Sequence, residues 1–463
     1  MKLGKRGNPV NDVALLSTIE QVDLIRRGEI SSRELTEHFI ARIERCDGEI
    51  NAVVTRDFET ALANADAADA TQHRGEVLGR LHGVPITVKD ALETKGLRST
   101  GGAVELRDNV PERDAEVVAA VRREGAIVIG KTNLPRWSGD IQSYNEIFGT
   151  TNNPWDLSRG PGGSSGGAAA AVAMGFTSFE IGTDIGGSVR FPAAFNGVWG
   201  HKPSFGLIPT NGYLDYAQGG LNEADINVFG PLTRSSNDLQ LLLDIMKRNA
   251  PPWVAQLGNT PTNIGDLRVA AWLNDDFCPV DDEVLQHLEA VVQELEKDGV
   301  PVDRTARPDI DPDEAAMLGL WLVQRATSQS TESDGPGHRI WLDNHVKREQ
   351  IRLKWAEFFN DYDAVIMPVC FVPPFLHQQE GDFMSRTLLC NEEQRSYLDV
   401  VKWTTMVGMA YLPSTVPPTG LGASGLPIGC QVVGPYGSDR TTIAVASHIG
   451  KLMGGYQPPP RAQ

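Results

Sequence analysis

The sequence predicts an α/β fold in which a large mixed, mostly parallel and twisted sheet is covered by helices on both faces. Short apolar segments alternate with segments of helical spacing along most of the chain. This alternation is typical of layered α/β architectures. The chain has 463 residues, of which 41% are hydrophobic and 22% charged, so it can bury a core of the size that such a sheet needs.

The helical segments are indicated by apolar spacing and by capping residues. Ser31 and Glu34 form a capping-box pattern ahead of Leu35 and Phe39, which stand at helical spacing. Helices are predicted over residues 13–45, 57–73, 116–123, 168–174 and 282–297, with a charged helix around 345–360.

The strands are predicted from short apolar runs between turn residues. They lie at 83–88, 126–129, 269–272 and 364–367, and a Gly/Pro-rich hairpin near 413–434 closes the chain. Residues 303–400 differ in composition, with Pro-rich turns and the tryptophans Trp321, Trp341 and Trp355. We interpret this region as an excursion that covers the site and selects substrates, and the equal alternative is that it only completes the core.

The charge and the cysteines exclude several classes of function. The net charge is −18 with a pI near 5.0, a surface that repels nucleic acid and anionic membranes. The five cysteines are widely spaced and show no Cys/His metal pattern, which favours free thiols in a reducing compartment and no metal. No apolar h-region follows the basic N-terminus and no run approaches the length of a membrane span, so a cytoplasmic location is expected.

The most specific chemical signal is a Gly/Ser-rich block with two serine turns. Ser164 and Ser188 each follow a Gly-Gly pair, and an Ala-rich segment lies between them. Lys89 stands upstream, at the end of the predicted strand 83–88. Two serines and a lysine can form a nucleophilic site without histidine, which indicates an amide hydrolase.

Three short motifs in the chain offer rival interpretations. Gly125–Thr132 fits the phosphate-loop pattern, but its middle residues are those of a buried strand. Gly420–Gly425 fits GxGxxG, but a strand rather than a helix follows it. Gly162–Gly166 fits the GxSxG nucleophile elbow and is the serious rival. It would make Ser164 the nucleophile of an α/β-hydrolase-like esterase that uses a downstream histidine. The histidines considered for that role are His338, His345, His377 and His448.

Taken together, the motifs resemble the amidase signature family. The matching stretches are Gly83–Asp90, Gly130–Asn133, Asn153–Asp156, Pro161–Gly167, Gly182–Pro192, Gly200–Pro203, Gly230–Ser235 and Gly425–Gly429. The resemblance covers roughly residues 13–300 and 361–453 and implies one amidase domain over residues 1–463. Within it, residues 75–235 form the signature core that carries the catalytic residues, and 303–400 are the variable substrate-covering region.

The resemblance also implies roles for individual residues. Ser188 corresponds to the nucleophile, Ser164 to the bridging serine after a cis peptide bond, and Lys89 to the base. The backbone amides of the Ser188 loop, contributed by Ile185, Gly186, Gly187 and Ser188, correspond to the oxyanion hole. Ser138 falls where family members contact substrate through the backbone. Asp184 and Arg190 flank the nucleophile loop and are expected to pair with each other.

These roles place a strong requirement on the lysine. Its amine can accept a proton only when neutral, and its ordinary pKa is about 10.4. Burial disfavours the ammonium form and lowers that pKa, which suits Lys89 at the end of an apolar strand.

The expected substrates are apolar or aryl amides, together with carbamates, urethanes and esters that the same site cleaves in the family. The family branch that works in amidotransferases on glutamyl-tRNA usually has Gln where this chain has Phe191, which disfavours that branch. No cofactor is expected. The expected partner is a small-molecule amide or carbamate, not a nucleic acid, and a homodimer is left open.

Overall fold

The computed structural model of the chain describes residues 12–214, 223–248, 257–327 and 337–462. The helices are α1 (Thr18–Arg26), α2 (Ser32–Ile50), α3 (Phe58–His73), α4 (Glu116–Arg123), α5 (Gly166–Met174), α6 (Arg190–Asn196), α7 (Ser236–Met246), α8 (Asp282–Lys297), α9 (Pro312–Thr327), α10 (His338–Phe358), α11 (Lys402–Met409) and α12 (Asp439–Leu452). The strands are β1 (Val53–Arg56), β2 (Pro85–Lys89), β3 (Ile127–Thr132), β4 (Tyr144–Asn145), β5 (Gly149–Thr150), β6 (Glu180–Asp184), β7 (Trp199–Lys202), β8 (Val228–Thr233), β9 (Val269–Ala271), β10 (Val302–Asp303), β11 (Ala364–Pro368), β12 (Thr387–Cys390), β13 (Glu393–Ser396), β14 (Ser414–Val416) and β15 (Cys430–Val433).

The N-terminal helical prediction is confirmed in type but divides into two helices. Gly28, with φ of 67°, follows the end of α1. Ser31 then caps α2 and forms the predicted capping box with Glu34. The glycine lets the chain turn in the left-handed region that other residues avoid.

A large mixed sheet with eight strands forms the centre of the fold, in the order β10-β9-β11-β15-β14-β7-β8-β6. The mixed sheet is confirmed, but its mostly parallel character is corrected. Only the pairs of β9 with β10 and β11 are parallel, and the other five pairings are antiparallel. Part of the reason is that one strand is inserted between two others that run in the same direction. Strands β6 and β7 run in the same direction around α6, but β8 lies between them and pairs antiparallel with both.

Helices cover both faces of this sheet, as predicted. Neighbouring residues of a strand point to opposite faces, and β7 shows what each face contacts. A Cβ at Gly200 would lie 2.6 Å from Ala193 Cβ on α6. On the other face, His201 Nε2 lies 3.1 Å from Asp439 Oδ1 on α12.

A smaller sheet, in the order β1-β3-β2, carries the predicted lysine. Strands β2 and β3 are parallel, and Lys89 at the end of β2 is in register with Thr132. Every residue of both strands is buried. The phosphate-loop candidate at 125–132 therefore contains β3, as its apolar sequence predicts.

The region 303–400 contains α9, α10, β11, β12 and β13, and its residues 328–336 lie outside the described residues. Trp355 of α10 is fully buried against Phe358, whereas Trp341 is 42% exposed. The region thus adds to the core as well as to the surface. None of the helices within the described ranges is long and apolar enough to cross a membrane.

Candidate active site

Lys89 lies at the centre of a fully buried hydrogen-bond cluster. Its Nζ is 2.7 Å from Ser164 Oγ, 2.7 Å from Thr183 Oγ1 and 3.0 Å from Ser165 Oγ. Burial lowers the pKa of Lys89 to about 7, although the nearby carboxylates Glu180 and Asp184 oppose that shift. An amine with a pKa near neutrality can be a proton acceptor under physiological conditions.

The turn that presents Ser164 leaves no room for side chains around it. The Gly163–Ser164 peptide bond is cis. A Cβ at Gly163 would lie 2.5 Å from the carbonyl carbon of Ile141, and one at Gly166 would lie 2.4 Å from Ser143 Oγ. The glycines of the motif are therefore required by close backbone approach. Helix α5 begins directly after this turn, and all of its residues are buried.

The second serine turn connects β6 to α6 and is held by an ion pair. Asp184 accepts hydrogen bonds from the amides of Gly187 (2.8 Å) and Val189 (3.1 Å). Its oxygens also lie 3.0 and 2.9 Å from Arg190 Nε and Nη2, and both side chains are fully buried. Burial pushes the pKa of Asp184 upward, but the Arg190 charge, the hydrogen bonds from Arg190 and Val189 and the Lys202 charge together hold the pKa below its usual value. The predicted pairing of Asp184 with Arg190 is confirmed.

The structure brings the two serine turns into direct contact. The Ser165 amide donates to the Ser188 carbonyl oxygen at 3.2 Å. Ser188 is 8% exposed, whereas Ser164 and Lys89 are fully buried. This backbone contact therefore places Ser188 next to the turn that carries Ser164.

The backbone amides of the residues predicted for the oxyanion hole are not equally available to a substrate. Gly187 has φ of 126°, and a Cβ there would lie 2.3 Å from the Phe191 ring. Its amide is already bonded to Asp184. The Gly186 carbonyl oxygen accepts a hydrogen bond of 2.6 Å from Thr404 Oγ1 of α11. Ile185 is half-buried and packs against the core.

Ser138 lies in a short turn (Arg136–Ser138) with φ of 55°. Its amide donates to the Pro135 carbonyl oxygen at 2.9 Å. The backbone contact with substrate that was predicted for Ser138 would therefore have to use the Ser138 carbonyl oxygen. Ser138 Oγ is buried and has no hydrogen-bond partner among the described residues. The turn borders a cavity of about 570 Å³ whose lining includes Asp140, Phe383 and Arg386.

Three residues of the buried cluster were not predicted. Ser165 and Thr183 both bond Lys89, and each is the chain neighbour of a residue that was singled out. Glu180 lies at the start of β6 and is fully buried. The available signal was a single carboxylate within the otherwise apolar Phe179–Ile181 segment, because a charged residue on a buried strand needs a partner.

The contacts around the rival motifs differ from those that the motifs would require. Ser164 Oγ is bonded by Lys89, whereas the downstream histidines make other contacts, His345 with Arg348 and His377 with Gln379. No strand within the described residues directly precedes the Gly162–Gly166 turn, as the elbow would require. The Gly420–Gly425 stretch is an irregular turn between β14 and β15.

Comparison with known proteins identifies the family to which the chain belongs. A family model described as Amidase matches residues 34–339 and 331–443. The chain is 32% identical to a glutamyl-tRNA(Gln) amidotransferase subunit of Moorella thermoacetica, over 93% of this chain and 95% of the relative. It is 31% identical to indoleacetamide hydrolase of Bradyrhizobium diazoefficiens, over 95% of this chain and 87% of the relative. The structure of a bacterial aryl acylamidase of the amidase signature family superposes with a TM-score of 0.81 at 25% identity, over 95% of this chain and 96% of the other. The chain therefore belongs to the amidase signature family.

Proposed function

We propose that this protein hydrolyses the C–N bond of apolar or aryl amides through a serine acyl-enzyme. Ser188 is the nucleophile, Ser164 relays the proton and Lys89 is the general base. The observation that carries the proposal is the distance of 2.7 Å between Lys89 Nζ and Ser164 Oγ in a fully buried cluster. A serine hydroxyl becomes an effective nucleophile only when a base of suitable pKa accepts its proton.

In the acylation step, Ser188 Oγ attacks the carbonyl carbon of the amide. The Ser188 proton passes to Ser164 Oγ, and the proton of Ser164 passes to the neutral amine of Lys89. The tetrahedral intermediate then collapses, and the C–N bond breaks. The proton returns from Lys89 through Ser164 to the departing nitrogen, because an amine leaves poorly unless it is protonated.

In the deacylation step, water attacks the acyl-enzyme ester and loses its proton along the same relay. The ester bond breaks, Ser188 regains a proton, and the carboxylic acid leaves. Backbone amides of the Ser188 loop stabilise the oxyanion in both steps, and losing one donor costs about 2.7–4 kcal/mol in the barrier. Because the Gly187 amide bonds Asp184, the proposed donors are the amides of Ile185, Gly186 and Ser188.

The relatives support apolar and aryl amides as the substrate class. They include indoleacetamide hydrolase at 31% identity and fatty-acid amide hydrolase 2-A of Danio rerio at 30%. Carbamates and esters with similar groups present the same carbonyl to Ser188 and are proposed as further substrates. A panel of indole-3-acetamide, aryl anilides, aryl carbamates and small charged amides tests this class. A preference for the charged amides would contradict it.

We further propose that residues 303–400 help to select the substrate within a single domain spanning residues 1–463, whose segment 75–235 carries the catalytic residues. Two contacts support this role. A Cβ at Gly186 would lie 3.8 Å from Val323 Cγ2 of α9. Tyr397 and Arg386 bond Asp140, two residues after Ser138.

A component of an amidotransferase is the second candidate, favoured by the 32% identity to the glutamyl-tRNA(Gln) amidotransferase protein of Moorella thermoacetica. Phe191, where that branch usually has Gln, packs on Gly187 beside the nucleophile, and the net charge of −18 offers tRNA little attraction. Turnover of indole-3-acetamide by the purified chain alone supports the amidase. Release of ammonia from glutamine only when partner proteins are added would support the amidotransferase.

Mapping the serine that a fluorophosphonate phosphonylates tests the assignment of roles directly. Labelling of Ser188, lost in the S188A variant, is the expected result. Labelling of Ser164 alone would contradict it and would favour the histidine-dependent esterase.

A further inference from the structure

Glu180 is a buried carboxylate that the proposed reaction does not yet use. It is fully buried at the start of β6. Its Oε1 accepts hydrogen bonds from Thr132 Oγ1 (2.6 Å) and Thr87 Oγ1 (3.0 Å). Its Oε2 accepts from the amides of Ile181 (2.8 Å) and Lys89 (3.2 Å). Four donors converge on this carboxylate and hold it in one position beside the strand end that carries Lys89.

The charged groups around Glu180 come from three strands and one helix. Lys89 and Asp90 lie at the end of β2, and Lys131 lies on β3. Asp184 closes β6 and is paired with Arg190 of α6. The other elements packed on β6, which are β8 and α5, contain no titratable side chain.

Lys131 has its own buried hydrogen-bond partners, although its charge also acts on Glu180 and lowers the pKa of that carboxyl. Lys131 Nζ donates to the Leu92 carbonyl oxygen (2.5 Å), Thr94 Oγ1 (2.7 Å) and Ser99 Oγ (2.9 Å). Asp90 contributes a carboxylate beside it. Lys89 Nζ, in contrast, is surrounded by three hydroxyl groups. For Lys89, Glu180 is the strongest electrostatic partner, ahead of Asp184.

We infer that Glu180 is a positioning residue whose charge sets the protonation state of Lys89 and so the pH range in which the enzyme works. The inference rests on the proposed role of Lys89 as the base. Burial raises the pKa of Glu180 to about 7, although its hydrogen bonds and the Lys131 charge oppose that shift, so Glu180 loses its proton in the same pH range as Lys89. Once ionised, Glu180 stabilises the ammonium form of Lys89 and keeps the amine protonated to higher pH. Loss of that negative charge favours the neutral amine and extends the active range toward lower pH.

Glu180→Gln removes the charge with little change in shape. The amide oxygen of Gln can accept from the Ile181 and Lys89 amides. Its NH₂ group can donate to the hydroxyls of Thr87 and Thr132, because a threonine hydroxyl both donates and accepts. The variant therefore keeps four hydrogen bonds at the site.

The test is the pH dependence of Ser188 phosphonylation by a fluorophosphonate, a readout that needs no knowledge of the natural substrate. In this reaction a bond forms between Ser188 Oγ and phosphorus, and the P–F bond breaks with loss of fluoride. The serine proton passes through Ser164 to Lys89. We expect the acidic limb of the rate profile to move to lower pH in E180Q, by up to about one pH unit, because the wild-type carboxylate is itself partly protonated near pH 7.

Asp238→Asn is the matched control. Asp238 is also a fully buried carboxylate, and it accepts from the amides of Thr18 (2.8 Å) and Ile19 (3.1 Å), outside the lysine cluster. Neutralising Asp238 perturbs the core in a comparable way. The acidic limb of the pH–rate profile for Ser188 phosphonylation is expected to stay where it is in the wild-type enzyme.

A second variant covers the case in which E180Q does not fold. Thr132→Val removes the donor at 2.6 Å from Oε1, which disfavours the ionised carboxylate. We expect a smaller shift of the limb in the same direction. An unchanged limb, or one that moves to higher pH, in variants whose Ser188 is still labelled would overturn this inference and leave the Lys89 assignment standing. Failure of Ser188 to be labelled in the wild-type enzyme would overturn both.

Discussion

At the residue scale, the hydrogen-bond partners of Lys89, the proposed base, differ from those of Lys131. Both lysines are fully buried on neighbouring strands. Lys131 binds a backbone carbonyl, which can only accept and therefore favours the ammonium form. Lys89 binds three hydroxyls, which can donate to a neutral amine as readily as they accept from an ammonium group. Burial lowers the pKa of both lysines, to about 7 for Lys89 and about 8 for Lys131, so it is the hydrogen-bond partners that distinguish the two sites.

Lys89→Met is expected to lower kcat/KM for an aryl amide by about 10²–10⁴-fold, which is the usual contribution of general acid–base catalysis. Hydrolysis of an activated ester is expected to fall less, because its leaving group does not need the returned proton. Steady-state rates on a matched amide and ester measure the ratio. Lys131→Met is the control, expected to lower the unfolding midpoint without changing the amide-to-ester ratio, and an equal loss on both substrates for Lys89→Met would contradict the relay.

The wild-type enzyme is expected to lose amidase activity below about pH 7, because the pKa of Lys89 is lowered to about 7. Below this pH the amine is protonated and cannot accept the serine proton, so log kcat/KM should fall with decreasing pH. A pH–rate profile on an aryl amide measures it. Activity that stays constant down to pH 5 would show that a group other than Lys89 accepts the proton.

At the element scale, the β6–α6 connection is rigid because its carboxylate and guanidinium satisfy each other inside the core. Arg190 also donates to the Thr404 carbonyl oxygen (2.9 Å) and Gln431 Oε1 (3.1 Å). The loop that carries Ser188 is therefore tied to α11 and β15. These contacts explain how a loop with two consecutive glycines can hold the proposed nucleophile Ser188 in place.

Asp184→Asn should destabilise the fold by about 3–5 kcal/mol, since it leaves Arg190 buried without its counter-charge. Urea unfolding of the variant and the wild type measures the change. Asp156→Asn breaks the half-exposed Asp156–Arg159 pair and is expected to cost less than about 1 kcal/mol. Similar losses of unfolding free energy in the two variants would mean that the buried ion pair stabilises the fold no more than the half-exposed one.

Tyr397→Phe tests whether the 303–400 region reaches the site. The Tyr397 hydroxyl donates to Asp140 Oδ1 (2.6 Å) and accepts from Gln142 Nε2 (2.9 Å). Its loss should loosen the turn around Ser138 and raise KM several-fold with a smaller change in kcat. Tyr362→Phe, which removes a similar 2.6 Å bond to Asp303, is the control expected to leave KM unchanged. If both variants behave alike, the region does not act on substrate binding through Tyr397.

At the scale of the whole molecule, the core buries nearly all of the cysteine content. Four of the five cysteines are buried and Cys46 is half-buried. Burial raises the pKa of the Cys278 thiol to about 11 and of the Cys370 and Cys430 thiols to about 12. Reactivity requires an accessible thiolate, so the folded chain is expected to show one accessible thiol.

Titration with a chromogenic disulfide reagent should therefore detect one thiol in the native protein and five in denaturant. The native thiol is expected to disappear in the Cys46→Ser variant. Two or more thiols reacting rapidly in the native state would indicate that the core opens around a buried cysteine.

The elements that follow from local sequence were predicted well. The helices 116–123 and 282–297 have the predicted bounds, because apolar spacing and terminal residues specify them locally. The pairing of Asp184 with Arg190 also follows from nearby residues, and the strand predicted at 126–129 is observed three residues longer at its end, at 127–132. The mostly parallel sheet was wrong, because the insertion of β8 between β6 and β7 depends on contacts between distant segments.

The proposed catalytic residues Lys89, Ser164 and Ser188 could be named from motifs alone, since Gly-Gly turns and an apolar strand before a lysine are local patterns. Their chemistry could not. The pKa of Lys89 is lowered by complete burial, a shift that the carboxylates Glu180 and Asp184 oppose, and its amine is bonded by three hydroxyls from two other segments. Proton affinity is set by the dielectric and charges around a group, and only the packing of β2 against β6 and α5 brings those groups together.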